Sequence, residues 1–334
     1  MVTLDAFRQA QQRLRGVAAR TPLIEYFPSG SAVQQHDRVL RVKPESLQPI
    51  GSFKLRGAYN KIATLSDAER QRGVITYSSG NHAQGVAFGA RAMGVKACIV
   101  MPRNAPKIKM DATKALGAEV VTVGLASSER RKKAEELALE HGYAIVPPYD
   151  DEQIISGQGT VGLEIFEDLP EADVVLVPVG GGGLISGVSA ALKMSGSHAK
   201  IIGVEPELAN DAQQSLRAGK IVTLTPERVS STLADGLRTQ SVGNLNFEII
   251  SEYVDDIITV EEDEIRDAMR RMMSEMRLVA EPSGAVTFAA YLFHEKQLPA
   301  GKNVVAVMSG GNVEPALVAQ VVTETDAQSA MTGR

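Results

Sequence analysis

Short apolar runs rich in β-branched residues recur along the chain, at Val39–Val42, Val74–Tyr77, Ala97–Met101, Val120–Val123, Tyr143–Val146, Val174–Val179, Ile201–Val204, Tyr253–Val260 and Val304–Met308. Most of the segments between them carry helical spacing, so the pattern predicts strands alternating with helices. That alternation implies an α/β protein with largely parallel sheets, covered by helices on both faces. Between Ile265 and Val279, apolar residues fall at Ile265, Met269, Met272, Met276 and Val279, one face of a helix, and the methionines are expected in the core. From Ser127 to Glu140, Ala134, Leu137 and Ala138 line one side while Arg130, Arg131, Lys132, Lys133, Glu135 and Glu136 lie elsewhere, as on a surface helix.

Strand order suggests two lobes. Residues 66–146 hold four strand–helix units and form a small domain, residues 1–65 and 147–322 form a large one, and 323–334 read as a disordered tail because they are polar and aperiodic. A ligand is expected in the crevice between the lobes, near the carboxyl ends of the strands.

With 334 residues, 44% of them hydrophobic, the chain can bury a large core. A formal net charge of −5 without a clustered basic run argues against nucleic acid or an anionic membrane as partner and leaves small-molecule chemistry. The single cysteine, Cys98, lies in an apolar strand and reads as a core thiol in a reducing compartment. The N-terminus lacks the apolar stretch of a secretory signal, so a cytoplasmic protein is expected. The uncharged run Val174–Leu192 is long enough for a membrane span, but Pro178 and four glycines in its middle make it a strand, a turn and a helix.

Four segments carry candidate chemistry. Lys54, in Gly51-Ser52-Phe53-Lys54-Leu55-Arg56-Gly57-Ala58, reads alone as a surface lysine; as an imine-forming lysine it needs a desolvated or cationic setting, to which Arg56 and Phe53 could contribute. Ser78-Ser79-Gly80-Asn81-His82 follows a strand and opens a helix, where hydroxyls, an amide and backbone donors suit a carboxylate; taken alone it reads rather as an ordinary helix cap at Ser79 or Asn81. Gly180-Gly181-Gly182-Gly183-Leu184 lets several N–H groups aim at one anion beside a helix dipole. Its spacing matches neither the dinucleotide pattern nor a nucleotide P-loop, which leaves a phosphate of another kind. Ser309, after the last strand, could hydrogen-bond a heteroaromatic nitrogen with a neutral hydroxyl, favouring elimination or proton exchange over transamination.

In this order the segments resemble the serine/threonine ammonia-lyase and serine racemase family, which has the tryptophan-synthase β-like fold, pyridoxal-phosphate fold type II. The resemblance runs from Arg20-Thr21-Pro22-Leu23 to Asn312 and includes Gly157-Gln158-Gly159-Thr160, Ala234-Asp235-Gly236 and Glu281-Pro282-Ser283-Gly284. It implies pyridoxal 5′-phosphate held as a Schiff base on Lys54, with Phe53 against its ring, Asn81 on its ring hydroxyl, Gly180, Gly181, Gly182, Gly183 and Leu184 on its phosphate, and Ser309 on its pyridine nitrogen. It further implies that Ser78, Ser79, Gly80, Asn81 and His82 hold the substrate carboxylate. Ser79 stands where the racemase branch has an acid/base serine opposite the lysine. Arg130 stands where that branch has an arginine able to meet a second carboxylate. Glu205, the Ala209 carbonyl and Asp211 match the family's divalent-cation loop, whose oxygen ligands suit Mg²⁺, Mn²⁺ or Ca²⁺. The implied reaction is β-elimination of threonine or serine to a 2-oxo acid and ammonia, with serine racemisation and 3-hydroxyaspartate deamination as alternatives. A homodimer is implied as well. Two departures are expected to matter: Pro147-Pro148-Tyr149 replaces the usual His-Pro pair, leaving the role of Tyr149 open, and no regulatory C-terminal domain follows Asn312.

Overall fold

The structure, a computed structural model, describes residues 2–28, 38–78, 80–105, 107–124 and 127–323. Among these are ten strands: β1 (Ile24–Glu25), β2 (Val39–Pro44), β3 (Val74–Tyr77), β4 (Ala97–Pro102), β5 (Glu119–Val123), β6 (Ala144–Ile145), β7 (Val174–Pro178), β8 (Lys200–Pro206), β9 (Asp256–Val260) and β10 (Asn303–Met308). They form a six-stranded sheet in the order β1-β2-β10-β7-β8-β9 and a four-stranded sheet in the order β5-β4-β3-β6. Every pair is parallel except β1 on β2. β1 escapes sequence reading because two residues carry no period.

Both faces of the larger sheet are covered, which is why its strands read as unbroken apolar runs rather than alternating ones. Val174 and Leu176 of β7 pack with Val204, Ala306 and the helix Pro282–Phe293 on one face, while Val175 and Val177 pack with Val161, Ile165 and Val188 on the other. In the smaller sheet Ile99 and Met101 face Ala83, Val86 and Ala87, and Cys98 and Val100 face Ala134. Cys98 is therefore a core thiol, and burial raises its pKa to about 11. Ser127–His141 is the expected surface helix, with Ala134 buried. The run Val174–Leu192 resolves into β7, the glycine turn and the helix Gly183–Met194; no helix among the described residues is long and apolar enough to cross a membrane.

The methionine face stops earlier than its spacing implies. The helix Glu262–Arg271 continues as a π turn, Met272–Met276, and ends at Arg277 with φ 64°. Ile265, Met269 and Met272 are buried, but Val279 lies beyond the helix end and is 47% exposed. A wider turn followed by a left-handed residue breaks the register that straight helical counting assumes.

Behind the lysine segment sits a solvent-excluded ion network. Arg56, on the helix Lys54–Ala63, bonds Glu45 through Nε at 2.7 Å and Glu164 through an η nitrogen at 2.6 Å, and Lys43 on β2 bonds Glu164 at 2.7 Å. Thr21 adds a hydroxyl donor to Glu45 at 2.8 Å. Two cations and two carboxylates cancel, so the network welds β2, the turn after it and two helices without leaving net charge. The helix Glu152–Asp168 approaches this helix so closely that a Cβ on Gly157 would lie 2.6 Å from the Arg56 carbonyl, which only glycine permits. Replacing Arg56 with Met should cost about 3–5 kcal/mol, because it strands buried carboxylate charge. Urea unfolding at pH 7 checks this, and a loss below about 1 kcal/mol would contradict it.

Candidate active site

β2, β10 and β7 are neighbours running in one direction, so the segments leaving their carboxyl ends meet at one edge of the sheet. Those segments are the lysine turn, the loop Ser309–Asn312 and the tetraglycine loop. The segment Ser78–Gly80 and the helix Asn81–Ala92 face them from the end of β3. Between the two sheets opens a cleft of about 630 Å³ lined by Phe53, Lys54, Ser78, Gly80, Asn81, His82, Arg130, Gly180, Gly181, Gly182, Gly183, Leu184 and Ser309. The structure thus gathers every described cofactor or substrate candidate from the sequence into one site; Ser79 lies outside the described residues.

Lys54 Nζ donates to the Pro148 carbonyl at 2.7 Å and lies 5.2 Å from the centre of the Phe53 ring. Burial lowers its pKa to about 8, so roughly a tenth is uncharged at pH 7. The expected help from Arg56 is absent: its charge is cancelled by Glu45 and Glu164, and desolvation alone accounts for the shift.

Gly182, at φ 96°, caps the helix Gly183–Met194 in a left-handed conformation. Gly243 N–H donates to the Gly181 carbonyl at 3.1 Å and fixes the loop. Among the described residues, the N–H groups of Gly181, Gly182, Gly183 and Leu184 have no protein acceptor. Four unmet donors at a helix N-terminus fit a phosphate. Tyr149, whose role the sequence left open, packs against this loop; a Cβ on Gly181 would lie 2.2 Å from its ring. Burial raises its pKa to about 12, so it stays a neutral wall.

Ser309, 3% exposed, donates through Oγ to the Ser283 carbonyl at 3.3 Å. Its weak bond leaves the hydroxyl able to turn towards a ring nitrogen. Ser78 Oγ accepts from Gly80 N–H at 3.3 Å, shaping the turn before the helix. His82 behaves otherwise than expected. Its Nε2 is 3.0 Å from the Val146 carbonyl, which can only accept, so Nδ1 carries no proton, and burial together with the Lys54 charge lowers its pKa to about 3. The imidazole is neutral, with its one proton spent on the Val146 carbonyl, so its side chain offers no charge to a carboxylate. Arg130 lies half-buried in the cleft wall, and burial lowers its pKa.

Several cleft residues had no role assigned from sequence. Glu281, 2% exposed, accepts from Asn81 Nδ2 at 2.6 Å, and burial first, then the Asp235 charge, raises its pKa to about 8. Lys109, on the helix Lys107–Ala115, pairs with Asp235 across the cleft. Gly236 N–H donates to Ser283 Oγ at 2.8 Å. The motif Glu281-Pro282-Ser283-Gly284 was visible, but only the sheet order brings it beside Asn81.

Glu205, at the end of β8, accepts from the N–H groups of Ala212 and Gln213 at 3.0 and 2.8 Å. Both oxygens of buried Asp211 lack a partner among the described residues. Burial and Asp211 raise the Glu205 pKa well above the carboxylate range, and burial brings Asp211 to about 7. Among the described residues no cluster of three His, Cys, Asp or Glu could hold a metal, so a cation here would draw its third protein ligand from a carbonyl.

The pyridoxal-phosphate dependent enzyme family matches residues 14–310. The chain is 45% identical over 326 residues to the L-threonine ammonia-lyase of Thermotoga maritima, covering 97% of this chain and 79% of that protein. It is 41% identical over 308 residues to the L-threo-3-hydroxyaspartate ammonia-lyase of Saccharomyces cerevisiae, covering 91% of each. The structure of maize serine racemase superposes with a TM-score of 0.90 at 36% identity, over 98% of this chain and 99% of that one.

The depressed pKa of Lys54 has a stability consequence. Between about pH 8 and 10.5 the unfolded chain binds a proton at Lys54 that the folded chain does not, so stability should rise with pH across that window. Lys54→Met should abolish this rise and be more stable than the parent below about pH 8. Urea midpoints of the cofactor-free proteins from pH 7 to 10 check it, and parallel profiles would refute it.

Proposed function

The chain belongs to the pyridoxal-phosphate dependent enzyme family, and from that premise we propose that it dehydrates and deaminates a small β-hydroxy amino acid, threonine or serine, to a 2-oxo acid and ammonia. The observation that carries this reading is a lysine of lowered pKa facing a glycine loop with four unmet N–H donors across one cleft. When bound, pyridoxal 5′-phosphate supplies an aldehyde that captures amines and a ring that accepts the electrons released at the α-carbon. Gly180 to Leu184 and the helix dipole hold its phosphate. Phe53 packs against its ring, Asn81 meets the ring hydroxyl, and Ser309 offers a neutral hydroxyl to the ring nitrogen. The N–H groups opening the helix Asn81–Ala92, with Ser78 and Ser79, hold the substrate carboxylate. Lys54 Nζ anchors the cofactor and, once released, takes the α-proton; its lowered pKa gives it the free electron pair this needs.

Arg130 in the cleft wall supports a second reading in which the preferred substrate carries a distal carboxylate, as the printed name of the yeast relative says of that protein. Glu205, Asp211 and the Ala209 carbonyl would hold a divalent cation; the unmet oxygens of Asp211 are the feature that supports it. We also take the cleft to separate a small domain, 66–146, from a large one, and the protein to work as a cytoplasmic homodimer, on the family resemblance.

Rates and product analysis on L-threonine, L-serine and L-threo-3-hydroxyaspartate test the reading. A 2-oxo acid and ammonia are expected in equal amounts, and Lys54→Ala should lose turnover; retained turnover would overturn the assignment. D-serine forming faster than pyruvate from L-serine would make the enzyme chiefly a racemase. Arg130→Ala should lower kcat/KM on the acidic substrate at least about tenfold while sparing threonine, if the second reading holds. For the cation, EDTA should lower Tm and Mg²⁺, Mn²⁺ or Ca²⁺ restore it in the parent, with no response in Asp211→Ala. An unchanged Tm in the parent would dismiss the site.

A further inference from the structure

The side chain of Asn81 is held at both ends by the other sheet's loops. Its Nδ2 donates to Glu281 Oε1 at 2.6 Å, and its Oδ1 accepts from Asn312 Nδ2 at 2.8 Å. A side-chain amide can turn over when its partners can both give and accept. Here the polarity is anchored. Asn312 Nδ2 also donates to the backbone carbonyl of Ile50 at 2.8 Å, and a carbonyl only accepts. The nitrogen of Asn312 is therefore fixed on that side, the Asn81 atom facing it must be the oxygen, and the Asn81 nitrogen must face Glu281. One N–H of Asn81 is spent on Glu281, and the second remains, on a residue that lines the cleft.

Both clamping residues lie directly against a glycine. Asn312 lies over Gly51, at φ 72°, where a Cβ would come within 2.3 Å of its Oδ1. Glu281 Oε1 lies over Gly310, where a Cβ would come within 2.5 Å, and Glu281 N–H donates to the Gly310 carbonyl at 3.1 Å. Gly51 begins the lysine turn and Gly310 follows Ser309. The clamp thus joins the three segments assigned to the cofactor ring.

We infer that Asn312 and Glu281 are positioning residues that set the polarity of the Asn81 amide and leave its second N–H for the ring hydroxyl of the cofactor. This rests on the reading of the cleft as a pyridoxal-phosphate site. Neither residue needs to touch cofactor or substrate; both act through Asn81. Burial raises the Glu281 pKa to about 8, so the carboxyl is mostly neutral at pH 7, and Oε1 remains an acceptor in either state.

The test compares equilibrium binding of pyridoxal 5′-phosphate with that of its 3-deoxy analogue, which lacks the ring hydroxyl, to cofactor-free protein. Borohydride reduction and peptide mapping of the parent come first: no pyridoxyl group on Lys54 overturns the cofactor reading and the clamp together. With the adduct in place, Asn312→Ala should weaken pyridoxal 5′-phosphate about tenfold and the analogue less than about twofold. Asn312→Asp opposes two acceptors at Asn81 Oδ1 without changing shape, and should give the same selective loss if the alanine protein fails to fold. Glu281→Leu should reproduce it, and Glu281→Gln, which keeps an acceptor, should restore most of the discrimination. Equal losses for the two ligands, or no loss for pyridoxal 5′-phosphate, would overturn the clamp while leaving the cofactor reading standing.

Discussion

Lys54 is held at the cleft by a seam of backbone hydrogen bonds. Phe53 N–H donates to the Ser309 carbonyl at 3.0 Å, Gly311 N–H donates to the Gly51 carbonyl at 2.9 Å, and Ser52 bridges to Gly310. This seam stitches the lysine turn to the loop that follows β10. It exists because β10 lies between β2 and β7 in the sheet, so two segments far apart in sequence leave adjacent strand ends together. Fixing that seam fixes Lys54, Ser309 and the seats of Asn312 and Glu281 at once.

Charge is managed differently on either side of the seam. Behind it, Arg56, Lys43, Glu45 and Glu164 are buried as a neutral set, rigid and electrically silent. In front, Lys54, His82 and Glu281 are each pushed towards their uncharged forms by desolvation. Desolvation in the cleft strengthens the electrostatic interactions that remain, including those between loop N–H groups and an anion. The neutrality of the set behind the seam matters for this, because a leftover charge there would act on Lys54 through the shared helix.

Much of this was legible in the chain. Nine of the ten described strands follow from apolar runs, and the four chemical segments fall at the ends of strands or in the loops beside them, because parallel sheets place function at carboxyl ends. What stayed hidden depends on register and on orientation. The end of the methionine face at a π turn, the tautomer of His82 set by the Val146 carbonyl, and the silence of Arg56 all depend on partners distant in sequence. Glu281 was seen as part of a motif, but its meaning lies in Asn81, 200 residues away. Local pattern reports which face a residue occupies; it does not report what stands opposite.

The seam also imposes an order in time. Ile50 and Asn312 are 262 residues apart, so at about 5–20 residues per second a ribosome needs roughly 13–52 s after making the first to supply the second. Throughout that interval the emerging polypeptide carries Lys54 without the loop that seats its turn. A product terminated upstream of β10 lacks the central strand as well as the seam, so it cannot form the cleft wall that carries Ser309.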